Sequence, residues 1–282
     1  MTTIAPAGPP AQPAPPAPRR PRTLRTVLLA VGSIALVALL ALVALQVVAG
    51  LDRDDRSRTS TVAEPFDRVS VDASAADLRI EQADVDVARI VFNSGGSALS
   101  ETHSVRDGEL RVQLRSPGWG VLDLPFGSSP GAQLVVQVPA GTTGDDLAVH
   151  VSSAAGGIVL AGAFGDVDLD AGAGEIRLSG SVADLSVESG AGDLMADALE
   201  VTGEIRTTSA AGDTELDLAT APTAMRVETT AGEQRIRLPA GSYAITTETV
   251  MGQVSNAIGS DADAPRRYVL SATMGDIEVA QR

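Results

Sequence analysis

The chain has 282 residues, no cysteine, 2% aromatic content, 28 glycines and a formal net charge of −15, which excludes a disulfide scaffold and a basic nucleic-acid binder. All 21 basic residues are arginine. Four of them, Arg19, Arg20, Arg22 and Arg25, stand in the first 50 residues without an acid, leaving 17 arginines against 36 acids in the remainder. Two regions of opposite charge separated by an apolar run suggest two compartments.

Residues 1–26 begin with a segment that holds half of the 16 prolines within its first 21 positions. Such a segment buries no core, so a disordered cytoplasmic tail with polyproline II character is expected. The apolar run 27–50 follows, with Ser33 and Gln46 as its clearly polar side chains. At about 1.5 Å per residue it reaches across a ~30 Å hydrocarbon layer with some tilt. The four arginines precede it and a mixed-sign stretch, Asp52 to Arg58, follows, so the positive-inside rule puts the N-terminus in the cytoplasm and the C-terminal mass outside. A cleaved signal peptide is the alternative, since Val47-Val48-Ala49 has modest residues at cleavage-like positions, but its apolar region would exceed the usual roughly 7 to 15 residues.

Residues 51–61 read as a short polar stalk, and 62–282 as an extracytoplasmic β domain with an irregular opening section (62–140) and regular coils (141–282). In the opening section Phe66 to Val71, Ala76 to Ile80 and Gly108 to Leu114 alternate as strands do, and Asp107-Gly108 is a hairpin-turn signal. Ser74-Ala75-Ala76-Asp77-Leu78 resembles a degraded version of the corners described next. Between residues 116 and 131 lie Trp119 and Phe126 among several glycines and prolines. They are either a possible contact loop or, the preferred reading, a cover for one end of the core.

The regular part carries one pattern seven times: a small residue, two places, then a glycine, at Gly156, Gly174, Gly192, Gly212, Gly232, Gly252 and Gly275, with steps of 18, 18, 20, 20, 20 and 23. The stretch Ser189-Gly190-Ala191-Gly192-Asp193 taken alone has the look of a phosphate loop. Seven copies are too many for a cofactor loop, and a period of about 20 signals stacked repeats. Seven and five places before each glycine stand pairs such as Val149 and Val151, Leu185 and Val187, and Tyr268 and Leu270. Positions two and four after it are mostly apolar again, as in Ile176 and Leu178. This is period-two alternation running into a corner and out of it. The glycines are therefore read as structural corners, their amides occupied by the neighbouring coil.

Three places before the glycine the residue is Ser, Thr or Ala, which predicts an inward ladder of hydroxyls bonded to one another or to corner carbonyls. One place after it, five of the seven residues are acids: Glu175, Asp193, Asp213, Glu233 and Asp276. Stacked acids about 5 Å apart repel by around 1 kcal/mol per neighbour in water. Calcium would relieve this, but the spacing of metal-binding β-rolls is absent and Arg177 and Arg235 offer counter-charges, so a solvated acidic face without metal is expected. The two histidines, His103 and His150, adjoin no nucleophile motif, and His150 between Val149 and Val151 should point outward. No catalytic, cofactor-binding or metal-binding residue is assigned.

The fold class is thus all-β: a β-solenoid (β-helix-like) ectodomain of ~20-residue coils preceded by one transmembrane α-helix. The membrane run, the strand-rich opening, Gln137-Val138-Pro139 leading towards Val149-His150-Val151-Ser152-Ser153-Ala154-Ala155-Gly156, and the repeated Ser/Thr-x-Ala-Gly-Asp/Glu corners resemble a bacterial envelope family. Its members are described as putative adhesins, domains of unknown function with β-strand repeats. The resemblance covers residues 62–282 and implies a solenoid ectodomain with surface or envelope-stress roles and no catalytic residues to transfer. The expected function is a non-enzymatic, membrane-anchored adhesin or envelope-binding and sensing module. Its partner is an unidentified envelope or surface component of neutral or cationic character, without cofactor or nucleic acid. The alternatives are a carbohydrate-active β-helix enzyme and an accessory of an envelope-stress signalling system.

Overall fold

The computed structural model describes residues 57–97, 99–115, 131–140 and 147–282. The tail, the apolar run 27–50, and Trp119 and Phe126 lie outside the described residues. Alternating apolar positions bounded by Gly, Asp and Ser favour strands, and every element among the described residues is a strand. In chain order these are β1 Ser57–Val62, β2 Arg68–Ala73, β3 Asp77–Ala83, β4 Ala88–Asn93, β5 Ser100–Arg106, β6 Glu109–Arg115, β7 Gln133–Pro139 and β8 Ala148–Ser153. The regular part continues with β9 Ile158–Phe164, β10 Val167–Ala173, β11 Ile176–Val182, β12 Leu185–Ala191, β13 Leu194–Val201, β14 Glu204–Ala211 and β15 Thr214–Leu218. It closes with β16 Ala224–Ala231, β17 Gln234–Leu238, β18 Ala244–Met251, β19 Val254–Asn256, β20 Arg267–Met274 and β21 Ile277–Gln281. β1 begins inside the stretch read from the sequence as a stalk.

Each coil contributes one strand to each of two sheets. One sheet runs β1-β4-β7-β3-β9-β11-β13-β15-β17-β21-β19 and the other β18-β20-β16-β14-β12-β10-β8-β2-β6-β5. The central strands are parallel and in register: Val167 pairs with both Val149 and Leu185, Leu185 with Ile205, and Ile205 with Met225. The apolar residue seven places before each glycine therefore forms one continuous column, and strand pairs of this kind, buried on one face, have a fixed register.

Both ends of the stack depart from sequence order. At the C-terminal end Met225 pairs with Tyr268, and Tyr268 with Ile245, so the last coil in sequence (β20, β21) lies between β16/β17 and the outermost β18/β19. Tyr268, Leu270 and Ala272 are buried, whereas the equivalent Thr247 and Thr249 are only half-buried. The more apolar strand takes the place covered on both sides. At the other end β2/β3 sits between β8/β9 and β6/β7, so the opening section, expected to be irregular, itself stacks in parallel for two further coils. Antiparallel strands then close that end: β5 pairs with β6 through Asp107 (φ 52°) and Gly108 (φ 77°), the positive-φ pair of a tight hairpin, while β4 pairs with β7 and β1 with β4.

The core is a narrow slab of Val, Leu and Ile from both sheets, with Val69, Leu110, Val136, Leu169, Leu216, Leu270 and Val279 almost fully buried. The largest side chain sealed in it, Tyr268, stacks on Tyr243 with ring centroids 5.1 Å apart and donates its hydroxyl to the Pro222 carbonyl at 2.9 Å. Tyr243 donates to the Pro239 carbonyl at 2.6 Å. Burial holds the Tyr268 phenol well above its ordinary pKa.

Candidate functional site

The seven corner glycines form a single column. All have φ between 113° and 153°, a region that L side chains rarely adopt. A Cβ built on any of them would stand 2.6 Å from a carbonyl carbon of the adjacent coil: Ala76 for Gly156, then Gly156, Gly174, Gly192, Gly212 and Gly232 below Gly174, Gly192, Gly212, Gly232 and Gly275, and Gly275 below Gly252. The amides are occupied in the same way. Gly156, Gly174, Gly192, Gly212, Gly232 and Gly275 donate to Ala173, Ala191, Ala211, Ala231, Met274 and Met251 carbonyls at 2.9–3.0 Å. Backbone fills the space a ligand would need. Gly252 lies in the outermost coil, beyond which no further coil stands among the described residues.

The acidic column is part of this stacking. Asp77, Asp193, Asp213 and Asp276 each accept, through Oδ1, the backbone N–H of the next coil, at Gly157 (2.9 Å), Asp213 (2.9 Å), Glu233 (2.8 Å) and Gln253 (2.7 Å). One methylene suits this reach across a strand spacing of about 4.8 Å. Where the residue is the longer glutamate, it turns to the arginine two places on: Glu175 to Arg177 at 2.6 Å and Glu233 to Arg235. The face expected from the sequence to be merely solvated is a ladder of side-chain caps, and among the described residues no group of three or more His, Asp or Glu is placed to hold a metal ion.

The hydroxyl ladder is only partly joined. Ser153 donates to the Ala155 carbonyl at 3.2 Å and Thr249 to the Gly275 carbonyl at 3.0 Å. Thr229 accepts from the Gln234 amide at 3.1 Å, and that amide also reaches the Ser271 carbonyl at 2.7 Å. The buried hydroxyls of Ser189 and Ser209 have no partner among the described residues. A second line of bends escaped the sequence reading: Gly162 (φ 141°), Gly180 (φ 103°) and Ala198 (φ 49°) recur 18 residues apart, at register shifts in β11 and β13. Because the line is short and ends in alanine, its only signal was that repeated spacing.

His103 lies on the edge strand β5 and His150 on β8, which is paired on both sides. His150 points outward and meets Asp168 Oδ2 at 3.1 Å. His103 Nδ1 lies 2.7 Å from Glu101 Oε1, with Glu101 buried; no hydroxyl joins the pair in a hydrogen bond among the described residues. Among the described residues the surface carries open furrows. One, of about 340 Å³, crosses β14, β16, β20 and β18 and is lined by Thr208, Glu228, Thr230, Glu248, Val250 and Thr273 among others. The second, of about 540 Å³, runs over Asp77, Arg79, Val159, Glu175 and Arg177 on the other sheet and carries both signs of charge.

These features define an all-β protein of stacked, parallel-paired coils whose repeated residues serve the stack. Residues 161–280, less than half of the chain, match the family model described as Toastrack DUF4097. Among solved structures it is similar to a putative cell adhesion protein from Clostridium sporogenes ATCC 15579, at 13% identity over 81% of this chain and 100% of that one, with a TM-score of 0.36. It is also similar to a putative adhesin from Bacteroides fragilis NCTC 9343, at 11% identity over 82% and 99%, TM-score 0.45. A third is a putative lipid binding protein from Parabacteroides distasonis ATCC 8503, at 12% identity over 80% and 97%, TM-score 0.38. A comparison with curated proteins finds no match.

Proposed function

We propose that the protein is a non-enzymatic, membrane-anchored surface protein, an adhesin or envelope-binding module that uses its stacked coils as a rigid display surface. Residues 27–50 anchor it and the β domain lies outside the cytoplasm. The reading rests on one observation: repeated glycines and aspartates are consumed within the stack, while the outer face of β14, β16, β20 and β18 carries a furrow of hydroxyls with the carboxylates Glu228 and Glu248. Such a lining suits a neutral, hydroxyl-bearing or cationic envelope component, and the domain's acidity disfavours anionic polymer.

The test is photo-crosslinking from intact cells with a reactive residue at Thr230. Capture of one envelope component, with loss of capture in Thr208→Trp, is the expected result. Labelling confined to solvent quenching, or capture unchanged by Thr208→Trp, would sink the proposal.

A further inference from the structure

The two ends of the stack are finished differently. At the β1/β5 end the edge strands are antiparallel to their neighbours, and β5 carries Glu101, His103 and Arg106. At the other end β18 and β19 are each paired on one side only. Edges are normally guarded by charge, proline or a bulge, and terminal coils of stacked repeats by a polar outer layer. Here Val250 (75% exposed), Met251 (58%), Met274 (45%) and Val254 (43%) gather at this single end, four of the six exposed large apolar side chains among the described residues. Glu248 is the one ionisable side chain on β18 and β19.

We propose that this end is a self-association surface, and that its occupant is the same end of a second copy, added strand to strand about a two-fold axis. The edge itself specifies the pairing. Ser260 Oγ already accepts from the Ile245 N–H at 2.8 Å and donates to the Ile245 carbonyl at 2.9 Å, so the backbone groups of Ile245 face outward and are taken. Strand alternation puts those of Thr247 and Thr249 outward as well, and Ser260 leaves them free.

Antiparallel pairing centred on Thr247 joins the free backbone groups of Thr247 to those of Thr247 in the other copy, and the Ser260–Asp261 segment beside Ile245 and Tyr243 ends the paired stretch on either side. It sets Glu248 opposite Thr246 of the other copy instead of opposite a second Glu248. Charge is complementary in this arrangement. Arg267, exposed and in no salt bridge among the described residues, lies beside Ala244 in the adjacent strand. It thus comes two strand spacings, about 10 Å, from the layer that holds the other copy's Glu248, within reach of an arginine side chain. Over an acidic domain that repels its like, this end sets Arg266 and Arg267 beside Glu248, Asp261 and Asp263, and it brings apolar cover and unpaired backbone together. Two copies joined in this way carry their β1 strands at opposite extremes; if the anchoring proposed above holds, they would link molecules set in opposed surfaces.

The chain's lack of cysteine makes a clean test possible. In the full chain in detergent micelles, Thr246→Cys treated with a thiol crosslinker of about 10 Å span should give a covalent dimer. Ser104→Cys on β5 should not. Adding Met251→Lys, which places a charge in the apolar end without touching the furrow, should lower the crosslinked fraction about tenfold. The inference is overturned if Thr246→Cys stays monomeric, if Ser104→Cys crosslinks equally, or if Met251→Lys leaves the yield unchanged. Loss of envelope capture in a protein that still crosslinks would overturn the proposed function alone, and capture by a protein that does not crosslink would overturn this inference alone.

Discussion

Replacing Gly212 by alanine measures how tightly the coils are stacked. The new Cβ would overlap the Gly192 carbonyl oxygen and stand 2.6 Å from its carbon, where ordinary contact begins at 3.4 Å, so the two coils must part by more than about 0.8 Å at that corner. Three hydrogen bonds join them there: Gly192 N–H to Ala211, Leu194 N–H to Asp213, and Asp213 N–H to the Asp193 carboxylate, all at 2.9 Å. Lengthening each beyond about 3.7 Å takes it outside hydrogen-bond range, at about 1 kcal/mol apiece, and a non-glycine residue at φ 123° adds about 1–3 kcal/mol of strain. The expected loss is about 4–6 kcal/mol, in the range reserved for disrupted cores. Gly259→Ala is the internal comparison: its φ is also positive, at 82°, but nothing lies within 4 Å of the added methyl, so about 1–2 kcal/mol of backbone strain remains. Urea unfolding of the full chain in micelles, followed by far-ultraviolet circular dichroism and extrapolated linearly, gives both values. Losses that agree within about 0.5 kcal/mol would refute the stacking argument, because backbone conformation alone would then account for both.

Further outcomes follow from the same geometry. Asp213→Ala should lose about 1 kcal/mol by uncapping the Glu233 amide, Asp213→Asn should keep most of it, and neither calcium nor chelator should move the melting temperature of the parent protein; a calcium-dependent rise would show that the acidic column binds metal. Tyr268→Phe should lose about 1 kcal/mol through the orphaned Pro222 carbonyl, measured by the same urea titration. Because burial raises the folded-state pKa of Tyr268, its contribution is complete below the unfolded phenol value of about 10 and falls as pH rises above it, so Tyr268→Phe should show a shallower alkaline loss of stability. Asp261 behaves in the opposite sense: the Ser242 hydroxyl first, then the Asp263 amide, hold its pKa below the ordinary carboxylate value, so its contribution is present above that value and is lost as pH falls through the depressed one. Ser242→Ala should raise the Asp261 midpoint in a carbon-13 pH titration; an unchanged midpoint would remove that hydroxyl as the cause.

Much of the architecture was written in local pattern. Val167, Leu185, Ile205 and Met225 could be placed in one column by counting back seven from each glycine, because a strand's period of two and a coil of constant length leave one register in which every apolar residue faces inward. The corner role of Gly192 was readable for the same reason: a residue type that recurs at each coil answers to the coil's geometry. The histidine at 150 could be turned outward from its two valine neighbours alone.

Other features depend on contacts between residues far apart in the chain. Counting along the sequence places Gly252 before Gly275, yet in space they exchange, since Tyr268 and Leu270 gain more from cover on both sides than Ile245 and Thr247 do, and only the assembled stack compares the two strands. The aspartates of the acidic column look alike in sequence to any solvated acid; their role appears when a neighbouring coil brings a backbone N–H within 3 Å of Asp193 and Asp213. The same holds for the open end at β18. The two corner places that Val250 and Met251 occupy are open in the inner coils as well, but which coil comes last is settled by long-range strand pairing, a choice that the local alternation of side chains does not encode.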